Sequence, residues 1–234
     1  MAVLVRTWNL FHGNAVPPER RAFLEEMVRL ATADRPGIVC LQEVPAWAVK
    51  RLAGWSGMTA VGALAARPRL LSAELGRLVT ELHHGWLRSA FTGQANAILL
   101  AADLRVLGRA EHRLDRPGDG ERRVCQTVRV EGLGRVVNFH ATGEHADEQF
   151  LRAVEFAETD DEPVILCGDA NVAPGEGRTY DVLRERRYSD PAPGIDQILA
   201  RGLPASPPFV WPEERRRVGG RLLSDHAPVE LRVG

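Results

Sequence analysis

The chain has 234 residues, 44% of them hydrophobic, with 30 basic and 31 acidic side chains and a net charge of -1. That is enough apolar material for a real core, and too little net charge to argue for a nucleic-acid or membrane-surface partner by global field alone. No run approaches the roughly 18 apolar residues of a membrane span, and "MAVLVRTWNL" lacks a long apolar core with a cleavage site. No membrane partner and a cytoplasmic location are therefore expected. Cys40, Cys125 and Cys167 each sit in an apolar, strand-like run, with spacing that fits neither a zinc motif nor a disulfide framework. They read as reduced core residues.

"AVLVRTWNL" (2–10) reads as a buried strand, and "PPERRAFLEEMVRLATADRP" (17–36) as a helix opened by prolines, with Phe23, Leu24, Met27, Val28 and Leu30 at the 3.6-residue period. "GIVCLQEV" (37–44) is a second strand, and the strand–helix–strand unit argues for an α/β core. Leu71, Leu75, Leu78 and Leu82 predict a helix near 70–84. Residues 96–114 and 122–143 predict antiparallel strands and hairpins between glycine signals. A helix over 144–159, a buried strand over 162–171 and last strands over 194–202 and 224–233 complete the chain. No linker or repeat interrupts it, so residues 1–234 are expected to form a single domain.

Polar residues cluster where strands end. Asn9 follows "VRTW", Glu43 follows "IVCLQ", His140 follows "RVVNF", and Asp169 and Asn171 follow "VILCG". Asp196 precedes "QIL", and Asp225 and His226 precede the last strand. Singly, each has an ordinary reading: a turn cap for Asn9, a solvated strand end for Glu43, a satisfied core imidazole for His140. Together they suggest one functional edge, because loops at a sheet edge are held rigidly by the scaffold. Several carboxylates gathered there would repel one another without a cation, and such hard oxygen donors suit magnesium, or manganese, better than zinc.

"TWNLFHG", "LQEV", "VNFHATG", "ILCGDANVAPG", "GIDQIL" and "LLSDHAPV" occur in the order seen in the endonuclease/exonuclease/phosphatase superfamily, and the chain resembles that superfamily from Leu4 to about Leu231. The resemblance implies the deoxyribonuclease I-like fold: an α/β four-layer sandwich of two packed mixed β-sheets flanked by helices. It also implies divalent-metal-dependent hydrolysis of phosphoesters. By the same resemblance Glu43, Asn9 and Asp225 are the metal-site residues, with Asn9 also near the substrate phosphate. Asp169 orients and deprotonates the attacking water, and Asn171 donates to the phosphate. His226 donates to a phosphate oxygen and is held by Asp196. His140 is the second histidine, assigned in some members to leaving-group protonation. The chemistry fits these residue types: a cation neutralises charge on the non-bridging oxygens, a carboxylate activates water, and donors tighten on the five-coordinate phosphorus.

The match is incomplete. Many nucleases of the superfamily carry a tyrosine, or a glutamate paired with the catalytic histidine, between the second and third motifs; here the leucine-spaced helix stands instead, so the partner of His140 is open. Glu74, Glu81, His83 and His84 are candidates by position, against solvated-face and helix-capping readings. His12 is near Asn9, with a catalytic or a loop-ordering role. Arg122 and Arg123 precede a strand, and Arg122 is taken as a phosphate contact, with a solvated strand end as the alternative. "FVWPEERRRVGGRLLSDH" (209–226) reads as a mobile loop in which Trp211 and Arg215, Arg216 and Arg217 contact nucleic acid, or in which Trp211 plugs the loop. The expected function is a metal-dependent phosphodiesterase, first a nuclease on DNA or other nucleic acid. A small-molecule or lipid head-group phosphoesterase is the alternative, and a non-catalytic binding protein is disfavoured because no expected acid, amide or imidazole is missing. No obligate protein partner is evident.

Overall fold

The computed structural model describes residues 2–67, 73–82, 92–116 and 121–234. The first half of the chain gives β1 (Val3–Asn9), β2 (Ala15–Val16), α1 (Leu24–Thr32), β3 (Ile38–Pro45), α2 (Leu52–Ser56), β4 (Thr59–Ala66), α3 (Ala73–Leu82), β5 (Gln94–Leu100) and β6 (Val106–Arg113). The second half gives β7 (Val124–Val130), β8 (Gly134–His140), α4 (Ala146–Ala157), β9 (Val164–Asp169), α5 (Thr179–Glu185) and β10 (Asp196–Arg201). It closes with β11 (Phe209–Val210), β12 (Arg217–Val218), β13 (Arg221–Leu223) and β14 (Val229–Val233).

Two sheets carry the fold. One runs β11-β14-β1-β3-β5-β4 and the other β10-β9-β8-β7-β6. Both are mixed: β1 pairs parallel with β3 and antiparallel with β14, while β8 pairs parallel with β9 and antiparallel with β7. Strand parity divides the apolar side chains between layers. Val5, Ile38 and Cys40 meet Val136, Ile165 and Cys167 between the sheets. Trp8, Val39 and Leu41 point the other way, onto Leu24, Met27 and Val28 of α1. Val137, Phe139 and Leu166 likewise pack on Phe150 and Val154 of α4. Helix, sheet, sheet and helix thus form four layers. The central strands read as unbroken apolar runs because both faces are buried.

Some boundaries differ from the sequence reading. The first helix starts at Leu24, because residues 17–23 cross as a loop whose Phe23 amide bonds to the Gly13 carbonyl. Residues 96–114 split into β5 and β6 at a turn over 102–104. The last strand begins at Val229, which leaves 224–228 as a turn. The expected helix near 70–84 is present as α3. Glu74 is exposed on it, His83 and His84 lie outside the described residues, and nothing is described of the Glu81 side chain. No helix among the described residues is long and apolar enough to cross a membrane.

One polar contact pins the sheets together beneath the edge where the functional residues gather. Gln42 on β3 donates to Thr7 Oγ1 (2.9 Å) and to Asn138 Oδ1 (2.7 Å). Asn138 on β8 donates to the Leu41 and Ala97 carbonyls of the facing sheet, each at 3.0 Å. A buried amide with its hydrogen bonds made fixes the relative position of the two sheets in a way apolar contacts do not.

Candidate active site

Register places three of the expected residues in a row. His140 ends β8 opposite Asp169 at the end of β9, and Asp169 lies opposite Asp196 at the start of β10. Gly168 permits this closeness, since a Cβ there would collide with the Phe139 carbonyl oxygen. Asn9, at the end of β1 in the other sheet, reaches across to donate to Asp169 Oδ2 at 2.9 Å. Its own Oδ1 accepts from the Phe11 amide, so its amide orientation is fixed.

Glu43 comes to the same edge through an irregularity in β3. The pairing with β5 slips between Leu41 and Val44, and Glu43 takes a left-handed φ of 53°. A bulge of this kind re-aims a side chain that regular pleating would turn elsewhere. Glu43 Oε2 lies 3.2 Å from His12 Nε2 and its Oε1 3.8 Å from His140 Nε2. His12, Asn171 and Ser224 also have positive φ, at 52°, 50° and 62°. Non-glycine residues in this region cost energy, and their concentration at one edge makes it the candidate site.

The electrostatics separate the titrating groups. Burial, helped by the charge of Asp196, raises Asp169 to about 7. Burial disfavours a charged His226, but the hydrogen bond it donates to Asp196 and the nearby Asp196, Asp169 and Asp225 charges override it and raise the imidazole to about 9. His226 Nδ1 is 2.8 Å from Asp196 Oδ2, and its Nε2 is 3.8 Å from Asp169 Oδ2. Burial pushes His140 well down, and the Arg123 charge adds to this. The Arg123 guanidinium can only donate, and its Nη1 lies 3.3 Å from His140 Nδ1. His140 is therefore the neutral tautomer protonated on Nε2, which faces Asp169 Oδ2 at 3.5 Å. Gln94 Nε2 is a second neighbour of Nδ1, at 3.2 Å. Gln94 and Arg123 thus fill the place that was open at His140 Nδ1, and no carboxylate among the described residues stands there. Arg123 is 7% exposed and also donates to Thr142 Oγ1 at 2.7 Å. Arg122 is exposed, and no contact among the described residues joins it to the cluster. The sequence does not distinguish these adjacent arginines, because their facing depends on the residue at which β7 begins.

Asn171 donates its side-chain amide to the Ala141 carbonyl (2.9 Å), and its backbone N–H donates to Asp169 Oδ1 (3.0 Å). Asp225 is exposed beside His226, and burial of its carboxyl together with the charge of Glu43 outweighs the pull of His226 and raises it. Next to His226 lies a cavity of about 320 Å³, walled by Pro193, Ile195, Val210, Ala227 and Val229.

Trp211 is not at a substrate face. It is 3% exposed, donates to Glu230 Oε2 at 2.8 Å and lies 6.4 Å from Trp8, with the Arg215 guanidinium 3.7 Å over its ring. A base has no face on which to stack. Arg215 pairs with Asp34 and Glu230, and Arg217 with Glu213. The reading of 209–226 as a loop that stacks on nucleic acid is corrected on this ground: the Trp211 ring is covered, and Arg215 and Arg217 are paired with carboxylates.

Three carboxylates, an Asp–His pair, a second imidazole and two amides come together at adjoining strand ends. The family model described as the Endonuclease/Exonuclease/phosphatase family matches residues 7–226. The chain belongs to the endonuclease/exonuclease/phosphatase family. Among curated proteins no sequence matches. Solved structures similar to this chain include a functionally unknown conserved protein of Enterococcus faecalis V583 (17% identity, 99% of each chain covered, TM-score 0.72). Others are an endonuclease/exonuclease/phosphatase of Bacteroides vulgatus (16%, 100% and 99%, 0.71) and the human Nocturnin catalytic domain with bound sulfate (16%, 100% and 93%, 0.69). At such identities the likeness is one of fold.

Members of this family are phosphoesterases and typically depend on a divalent metal. Asp169, Asp196 and His226 bring ligand-type atoms within 4.8 Å of one another. His226 Nδ1 is committed to Asp196, and an imidazole titrating near 9 is itself the cation of that cluster at neutral pH. Glu43 and Asp225 fit a hard cation better: two partly exposed oxygen donors near enough for the charge of one to raise the carboxyl of the other.

Proposed function

We propose that this protein is a magnesium-dependent phosphoester hydrolase acting as one domain, with Asp169 as general base. The observation that carries this reading is Asp169 itself, buried, held by Asn9, poised near neutrality and set between two imidazoles. Glu43 and Asp225 would hold the ion, with Asn9 bordering it; bound there, it would neutralise charge on the phosphate oxygens. Asp169 accepts the proton of the attacking water. His226, charged and braced by Asp196, donates to a phosphate oxygen, and Asn171 stands beside it as a further donor. His140 presents Nε2–H as a neutral hydrogen-bond donor, a role distinct from that of an acid.

The substrate we favour is a small phosphoester. The burial of Trp211 and the pairing of Arg215 and Arg217 remove the features that favoured nucleic acid, and the cavity at His226, lined by apolar side chains together with Asp196 and Asp225, has room for a compact organic group. Three buried free cysteines support a reducing, cytoplasmic setting. The test is a panel: bis-p-nitrophenyl phosphate, p-nitrophenyl phosphate, sugar phosphates and supercoiled plasmid, each with magnesium or manganese and with chelator. Metal-dependent turnover of small esters with little nicking supports the proposal. No turnover of any phosphoester with either metal would overturn it.

A further inference from the structure

Residues 209–223 contribute no side chain to the chemistry described above, yet Arg216 within them is buried, at 7% exposure, between the half-buried Arg215 and the exposed Arg217. Its Nη1 lies 2.7 Å from the Ser224 carbonyl oxygen, 3.0 Å from that of His226 and 3.4 Å from that of Leu223. One nitrogen with two hydrogens therefore serves three carbonyls of the turn that carries Asp225 and His226. The same turn is gripped from two other sides. Trp8 Nε1 donates to the His226 carbonyl at 3.0 Å, and the Ser224 hydroxyl donates to the Asn9 carbonyl at 2.7 Å while accepting the His226 amide at 3.1 Å. Ser224 holds a left-handed φ of 62°, which an isolated turn would not favour. A guanidinium is costly to bury unless carbonyls and opposite charge meet it. Here the charges of Glu213, Asp225 and Asp196 act on it favourably as well, against that of Arg217.

We propose that Arg216 is a positioning residue: its guanidinium holds the Ser224–His226 turn in the one shape that sends Asp225 toward Glu43 and His226 toward Asp196. The proposal rests on the phosphoesterase reading for its kinetic consequence and on the geometry alone for its structural one. It gives the arginine-rich segment a use that the sequence does not disclose, as a clamp behind the site and not a face for substrate. Lysine is a poor replacement, because its ammonium, on a flexible and strongly hydrated stem, ends one bond short of the place where Nη1 meets the three carbonyls.

The experiment compares Arg216→Lys, Arg216→Met and Arg216→Ala with the control Arg217→Met, using the panel substrate that the wild type turns over best. The Arg216 variants should lose about 10²-fold in kcat with KM changed less than about threefold, as a misplaced catalytic group would cause. Millimolar guanidinium should return about tenfold of that loss to Arg216→Ala, and Arg217→Met should match the wild type. Hydrogen exchange of the intact protein is read in parallel, because it needs no activity. The Ser224 and His226 amides should exchange at least about tenfold faster in Arg216→Lys, with the β1 and β9 amides unchanged. Wild-type kcat in Arg216→Met, equal loss in Arg217→Met, or unchanged exchange at Ser224 and His226 would each overturn the proposal. A wild type inactive on every phosphoester would instead strike the functional reading, and the exchange data would still decide the clamp.

Discussion

His226 Nδ1 and Asp196 Oδ2 are 2.8 Å apart, and Asp196 faces Asp169 in register on the adjacent strand. One carboxylate therefore acts on two neighbours in opposite senses. It stabilises the imidazolium of His226 and, through like charge, raises Asp169. The result is a base near 7 and a cationic donor near 9 within 3.8 Å of each other.

This fixes the shape of the pH dependence. The base must be ionised, so the rate should fall tenfold per unit as pH drops below about 7. The donor must be charged, so the rate should fall again as pH rises past about 9. Asp196→Asn removes the main support of the imidazolium, and His226 is left with the penalty of burial. The alkaline limb of the kcat profile should then move below 9; an unmoved limb would show that His226 is not the group titrating there.

Asp169→Asn keeps the shape of the side chain and removes its basicity. A fall of about 10³-fold in kcat is expected, within the range for a positioned base. Turnover within tenfold of the wild type would assign the water to another residue.

His140 offers a test of tautomer. With Nδ1 facing Arg123, the nitrogen spectrum of labelled protein should show Nε2 protonated and Nδ1 bare through neutral pH. Arg123→Met removes the largest of the charges that, after burial, hold His140 low, so its titration should shift upward. Gln94→Glu would place an acceptor at Nδ1 and move the proton there.

Much of this edge was legible because a polar residue at the end of an apolar strand has few structural reasons to be there. Glu43, His140, Asp169 and Asp225 were readable in that way, and their order along the chain gave the family. What the sequence could not carry was facing. Arg123 rather than Arg122 turns inward because of where β7 starts, a matter of one residue. An aromatic beside three arginines reads the same whether it awaits a base or is already covered by a guanidinium; burial alone separates the two. Prolines 17 and 18 suit a helix start, but the first helix begins only at Leu24, because the chain first has to return Phe23 to Gly13.

Glu43→Gln should raise the magnesium concentration needed for half-maximal rate by at least about tenfold, since a neutral amide binds a hard cation poorly. The fold should hold, because Glu43 sits on a bulge with partly exposed carboxyl oxygens. An unchanged metal titration, with the melting temperature also unchanged, would place the ion elsewhere.

Trp211→Ala tests whether this ring is a plug or a platform. The indole is buried against Trp8, carries the Arg215 guanidinium and donates to Glu230, so its removal opens a cavity and takes one hydrogen bond from a carboxylate oxygen that keeps those of Arg6. A loss of about 3–5 kcal/mol in stability is expected, as for other buried aromatics cut to alanine. Denaturant unfolding measures it. KM for a small ester should change little in protein that remains folded, because no face of the ring is open to ligand. The opposite pattern, with stability within about 1 kcal/mol of wild type and a tenfold rise in KM on oligonucleotides, would restore Trp211 to the substrate path.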